Sequence, residues 1–140
     1  MNFRRPDAQL ANCCWFPRLI DKARAYQAGK IPTLYKVAFG SRFGIDGYFF
    51  RHFGLTKADC LQAINECKDD SSMKSWFTAL DLVTEDSIAE WNALAPALGS
   101  EGHAGYITYR LVKLVYPKSV RSSASSIFEA ILQDEATEKE

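Results

Sequence analysis

Histidine is nearly missing from this chain, with only His52 and His103 in 140 residues, and none of its four cysteines, Cys13, Cys14, Cys60 and Cys67, belongs to a CxxC pair. Zinc sites draw their ligands from closely spaced Cys and His, so no metal is expected. Also absent is any apolar run near the ~20 residues that span a bilayer, which excludes membrane insertion. The opening MNFRRPDAQLANCC holds two arginines but no following apolar stretch of the kind a secretory signal needs. A cytoplasmic chain with reduced cysteines is the expectation. No nucleophile elbow, phosphate loop or dinucleotide fingerprint occurs, and FGSRFG is too weak a glycine pattern for a phosphate cradle. No cofactor is expected.

Net charge is lacking too, but the two signs are unevenly spread. Residues 1–54 carry nine Lys/Arg and three Asp/Glu, whereas residues 55–101 carry three and nine, a balance of +6 against −6. Such polarity can steer an anion or organise a homodimer head to tail, and it cancels when the halves pack together. The hydrophobic fraction of 47% and aromatic fraction of 13% describe a globular protein long enough to bury one core.

The pattern of caps and breakers reads as helix throughout. Pro17 suits the first helical position, so a helix is expected over residues 17–28, stopped by Gly29, with Leu19, Ile20, Ala23 and Tyr26 inward and Arg18, Asp21, Lys22 and Ala25 outward. Pro32, Gly40, Gly44 and Gly47 break the next segment, which is expected to be extended or an ordered loop. Asp46 can cap a short helix through GYFFRHF that ends at Gly54, and Thr56 with Asp59 resembles a capping box. Cys60, Leu61, Ile64 and Cys67 then make an apolar stripe. Ser71 or Ser72 can cap the next helix and Thr84 the one after, which Pro96 and Gly99 end. Further helices are expected over residues 103–116 and after Ser126, whose partner Glu129 completes a capping box, with a serine-rich linker at 122–126. The expected fold is all-α: a compact single-domain bundle of about six to seven short helices over residues 1–135, with an ordered loop near 30–45 and a frayed acidic tail at 136–140.

Four features carry candidate chemistry. With Pro17 leading the helix, Phe16 falls at the N-cap and offers no oxygen to the amides of Arg18 and Leu19, while Trp15 can pack on Ile20 as a hydrophobic staple. Water can take those amides, leaving Arg18, Asp21 and Lys22 solvated; so can an anion, drawn by the helix dipole and Arg18 and by an Arg24 held in an ion pair with Asp21. The aromatics Tyr35, Phe39, Phe43, Tyr48, Phe49, Phe50 and Phe53, set among Lys36, Arg42 and Arg51, can stack a planar ligand or form core. His52 is a general base only with a substrate in reach. Finally, Arg110, Lys113, Lys118 and Arg121 form a basic run, but a pI near 6.7 and the lack of a recognised motif argue against nucleic acid.

WFPRLIDKARAYQAG followed by GIDGYFFRHFGL resembles the signature of a bacterial family of unknown function. Its members open with a W/Y-x-P-R-L/F-I-D-K-A/I-R block, an A-G turn and a G-x-D-x-x-F/L block. The match falls on Pro17, Arg18, Ile20, Asp21, Lys22, Arg24, Ala28 and Gly29. The paired Cys13 and Cys14 and the extra aromatics between Phe39 and Phe53 depart from it. The resemblance implies a small helical bacterial domain and lends no reaction.

The sequence therefore points to a binding module for a small anionic ligand at the start of the Pro17 helix, using Trp15, Arg18, Asp21, Lys22, Arg24, Tyr35 and Arg42. The alternatives are a metal-independent enzyme on a small anionic substrate, with Asp21 or His52 as acid or base, and a protein–protein adaptor or homodimer.

Overall fold

The structure is a computed structural model that describes residues 3–42, 44–106, 109–110 and 124–138. It divides into two compact units, Met1–Asn92 and Ala93–Glu140.

The first unit begins with a hairpin that the sequence reading did not foresee. Strands β1 (Gln9–Leu10) and β2 (Cys13–Cys14) pair antiparallel, with Gln9 opposite Cys14 and Leu10 opposite Cys13. The turn residues Ala11 and Asn12 have φ of 55° and 62°. Positive φ at both central residues is what a two-residue hairpin turn requires, and Asn tolerates it better than most side chains. The last residues of this unit hold the hairpin in place. Asn92 accepts from the Cys14 amide at 2.9 Å and donates to the Asn12 carbonyl at 2.7 Å, while the Trp91 indole donates to the Cys14 carbonyl at 2.9 Å.

Helices follow in order: α1 (Phe16–Gln27), α2 (Thr33–Ala38), α3 (Ile45–Phe53), α4 (Lys57–Glu66), α5 (Asp70–Thr78) and α6 (Glu85–Leu94). α1 packs on α4, and α4 on α5. The core is largely aromatic: Phe16 lies 4.3 Å from Phe77 between ring centroids, and Phe49 contacts Phe53 at 4.9 Å and Trp91 at 5.2 Å. Phe39, Phe49, Phe50 and Phe53 are all buried, which assigns these members of the aromatic run to the core. Phe43 lies outside the described residues.

Capping chemistry sets most boundaries. Thr56 and Asp59 form the expected box, and Thr84 forms one with Ser87, each accepting a hydrogen bond from the other's amide. α5 is capped by Asp69 in a reciprocal box with Ser72, two to three residues earlier than a cap at Ser71 or Ser72 would place it: Asp69 accepts from the Ser72 amide and the Ser72 hydroxyl accepts from the Asp69 amide. The expected loop contains a helix, α2, which starts directly after Pro32 and ends before Gly40; its six residues fit between the two breakers. α3 is capped by Gly44, so Asp46 sits inside the first turn with its side chain directed elsewhere. Gly47 is obligatory there, since a Cβ would lie 2.3 Å from the Ser41 carbonyl oxygen.

In the second unit a 3-10 turn (Ala95–Ala97) packs on α7 (Ile127–Glu138). The Ile127 amide donates to the Leu98 carbonyl at 3.1 Å. Gly99, at φ +86°, has no room for a side chain, because a Cβ would meet Ile127 at 2.6 Å. Buried Tyr109 and Ala130 form a small core with Ala124 and Ile127. Ser126 caps α7 through the Glu129 amide at 3.2 Å, but the Glu129 carboxylate reaches Ser125 instead of completing the box. Most of the helix expected over 103–116, the basic residues Lys113, Lys118 and Arg121, and the serines 122 and 123 lie outside the described residues.

The chain is thus mostly helical, with seven α-helices and one two-stranded sheet among the described residues. None of these helices is long and apolar enough to cross a membrane.

Candidate functional site

α1 opens on an aromatic because its N-cap serves another purpose. The helix starts at Phe16, one residue earlier than Pro17 suggests, so Trp15 is the N-cap and holds φ 70°. A bulky side chain in the left-handed region costs on the order of 1–3 kcal/mol and persists only where its surroundings fix it. Here the Trp15 amide donates to the Pro6 carbonyl at 2.9 Å and its indole donates to Asp46 Oδ1 at 2.8 Å. Trp15 therefore donates to Asp46 from the N-cap itself, not from the position before it at which a hydrophobic staple begins. The one-residue shift also engages Leu19, whose amide donates to the Trp15 carbonyl at 2.9 Å as the first intrahelical bond. It is no longer available to an anion.

Asp46 is the centre of a buried polar knot. Besides the indole it accepts from Lys22 Nζ at 2.7 Å and from the Gly40 amide at 3.1 Å, so one carboxylate joins α1, its N-cap, the turn after α2 and α3. Asp46 is 1% exposed and Lys22 5%. Burial pushes the Lys22 ammonium below the usual lysine range; Asp46 opposes this and neighbouring Arg18 adds to it. Removing one member of such a pair strands the other charge, which costs about 3–5 kcal/mol.

Arg18 is buried rather than solvated, at 1% exposure. Its guanidinium carbon lies 5.6 Å from the ring centres of both Phe3 and Trp15, and Nη1 donates to the Arg4 carbonyl at 3.1 Å. Lys22 Nζ stands 5.2 Å from the same Trp15 ring. Two cations one helical turn apart thus flank one indole, an arrangement favoured by the ring quadrupole. Phe3 and the Arg4 carbonyl lie against Arg18, and Asp46 and Trp15 against Lys22, which is why periodicity alone misassigns both to a solvated side.

Asp21 and Arg24 do not pair with each other. Asp21 accepts from Arg4, through the main-chain amide at 2.7 Å and Nη2 at 2.9 Å, and Arg4 reaches on to Asp70 Oδ1 at 3.2 Å. These two carboxylates raise the Arg4 guanidinium above its ordinary value. Arg24 donates to the Cys67 carbonyl at 3.1 Å and, more weakly, to that of Ile64 at 3.5 Å. It satisfies the C-terminal end of α4, as a cation at a helix C-terminus should. Tyr35 meets Phe3 edge-on at 5.2 Å, and Arg42 is exposed on the turn before α3. His52 has different company: Nε2 lies 2.7 Å from the Ser87 carbonyl oxygen, and the ring contacts Phe53 and Trp91.

The structure thus brings Trp15, Arg18 and Lys22 together and places Asp21 beside them through Arg4, whereas Arg24 and His52 tie other elements. Asp46 and Arg4 were missed as site residues. The G-x-D block signals Asp46; nothing local signals Arg4, whose partners are 17 and 66 residues away. The cysteines behave as packing residues. Burial pushes the Cys14 thiol up to about 11 and the Cys60 thiol to about 12, and Cys13 higher still, while Cys67 caps α4 half-buried. Among the described residues no group of three or more His, Cys, Asp or Glu could hold a metal ion.

No curated protein matches the chain. Trp15, Arg18, Asp21, Lys22, Arg24 and Asp46 all make long-range polar or cation–π contacts. The chain belongs to the family described as Domain of unknown function (DUF5069), whose profile matches residues 1–137.

Proposed function

We propose that the protein is a binding module for a small anionic ligand, recognised by the face of α1 that carries Trp15, Arg18 and Lys22, with Tyr35 at its rim and Arg42 nearby in sequence. The observation that carries this reading is the pair of buried cations flanking one indole, with the Arg18 guanidinium donating to the neutral main-chain carbonyl of Arg4. A carboxylate or phosphate oxygen at that position adds the attraction of opposite charges to a bond in which only the donor is now ionised, and can accept from the guanidinium in bidentate fashion. A guanidinium also presents a fork that matches such groups in plane, which an ammonium does not. The knot at Asp46 fixes Trp15 and Lys22 in advance, so ordering them costs nothing on binding.

The test is a melting-temperature titration with inorganic phosphate and with citrate. Wild type should show a saturable rise, as mass action requires of any ligand that binds only the folded state. Arg18→Lys, which keeps the charge but loses the fork, should remain folded by circular dichroism and bind at least about tenfold more weakly, a ratio worth about 1.4 kcal/mol. No saturable shift in wild type with either anion, or equal binding by Arg18→Lys, would remove this function.

A further inference from the structure

We infer that Phe3 and Arg4 form a strap that occupies the anion site from within the chain, latched by the Arg4 side chain and displaced when a ligand enters. The inference rests on the anion-binding reading above and adds how the site is controlled. Five contacts place the strap. The Phe3 ring covers the Arg18 guanidinium at 5.6 Å and meets Tyr35 at 5.2 Å. The carbonyl of Arg4 takes the hydrogen bond of Arg18 Nη1, so a main-chain oxygen stands where a ligand oxygen would. The side chain of the same residue then closes over Asp21 on α1 and Asp70 on α5.

The latch differs in kind from the knot beneath it. Arg4, Asp21 and Asp70 have side chains 38%, 23% and 45% exposed, whereas those of Lys22 and Asp46 are 6% and 1% exposed. Water and salt reach these half-exposed pairs and screen them, as they do not the knot, so the latch can open without unfolding the core. Release is coupled to binding in both directions: an anion that displaces the Arg4 carbonyl removes one of the strap's anchors, and a weaker latch leaves more of the chain competent to bind.

The experiment uses the full chain, wild type and Asp70→Asn, with citrate as the probe. Asp70→Asn removes one latch partner on α5 and touches neither Arg18 nor Lys22, and it should tighten citrate binding about threefold, the population shift an exposed pair can supply. Trypsin reports the strap directly, since it cleaves after Arg4 only when that side chain is released. Saturating citrate should speed cleavage at this bond in wild type, and Asp70→Asn should be cut faster without ligand. If citrate binds wild type while neither cleavage nor the Asp70→Asn affinity changes, the strap is refuted and the binding reading stands. If neither protein binds citrate or phosphate, both are refuted.

Discussion

Asp46 accepts hydrogen bonds from an indole, an ammonium and a backbone amide, and each donor comes from a different segment. A carboxylate suits this position because it accepts only and has lone pairs for all three, whereas an amide would present donors to donors. Asp46→Asn should therefore strand the Lys22 charge and lower stability by about 3–5 kcal/mol. Adding Lys22→Met removes that charge and should restore a large part of the loss, because a buried pair replaced by apolar volume is often neutral. Urea denaturation of the two single variants and the double variant measures the coupling. A cost below about 1 kcal/mol for Asp46→Asn would show that the knot does not organise this part of the chain.

At the scale of elements, α4 shows how burial of a reactive group becomes a pH dependence. Cys60 lies on the buried side of α4, 2% exposed, and its thiol is raised from an ordinary value of 9.0 to about 12. Above pH 9 the unfolded chain loses this proton while the folded chain keeps it, so the unfolded state binds fewer protons and stability falls as pH rises. The slope is about 1.4 kcal/mol per pH unit for each such thiol. Cys60→Ala should make the alkaline fall between pH 9 and 12 shallower by about one proton, read from denaturant midpoints across that range. The boundaries of α4 were legible in sequence because Thr56 and Asp59 are a local signal, three residues apart. The same holds for Thr84 on α6. α1 was legible in type but not in its outward face: Arg18 and Lys22 follow helical periodicity as polar residues, and only the distant Asp46 and Arg4 reveal that both are buried. The hairpin was illegible for a different reason. Its strands are two residues each, too short for alternation to register, and its turn uses Ala11 before Asn12 in place of glycine.

For the molecule as a whole, the charge division along the sequence does not produce two separate faces in the first unit. Arg4, from the basic stretch, bridges to Asp70 in the acidic one, and Arg24 covers the end of α4. The long-range ties described here for the first unit also close within it. The hairpin near its start is held by Trp91 and Asn92 at its end, and the rings of Phe16, Phe49, Phe53, Phe77 and Trp91 meet in one core. Unfolding any one of α1, α3, α5 or α6 exposes aromatic surface of the others, each ring being a large apolar area. Such mutual dependence makes the unit a cooperative folding block. A fragment of residues 1–94, ending with α6, should therefore fold alone, with a single sigmoidal thermal transition and the near-ultraviolet circular dichroism of packed aromatics. Trp91→Ala in that fragment takes away a core ring and the donor to the Cys14 carbonyl together, and should cost at least about 3 kcal/mol. A fragment that binds hydrophobic dye and melts without a transition would show that this core needs residues beyond 94 to close.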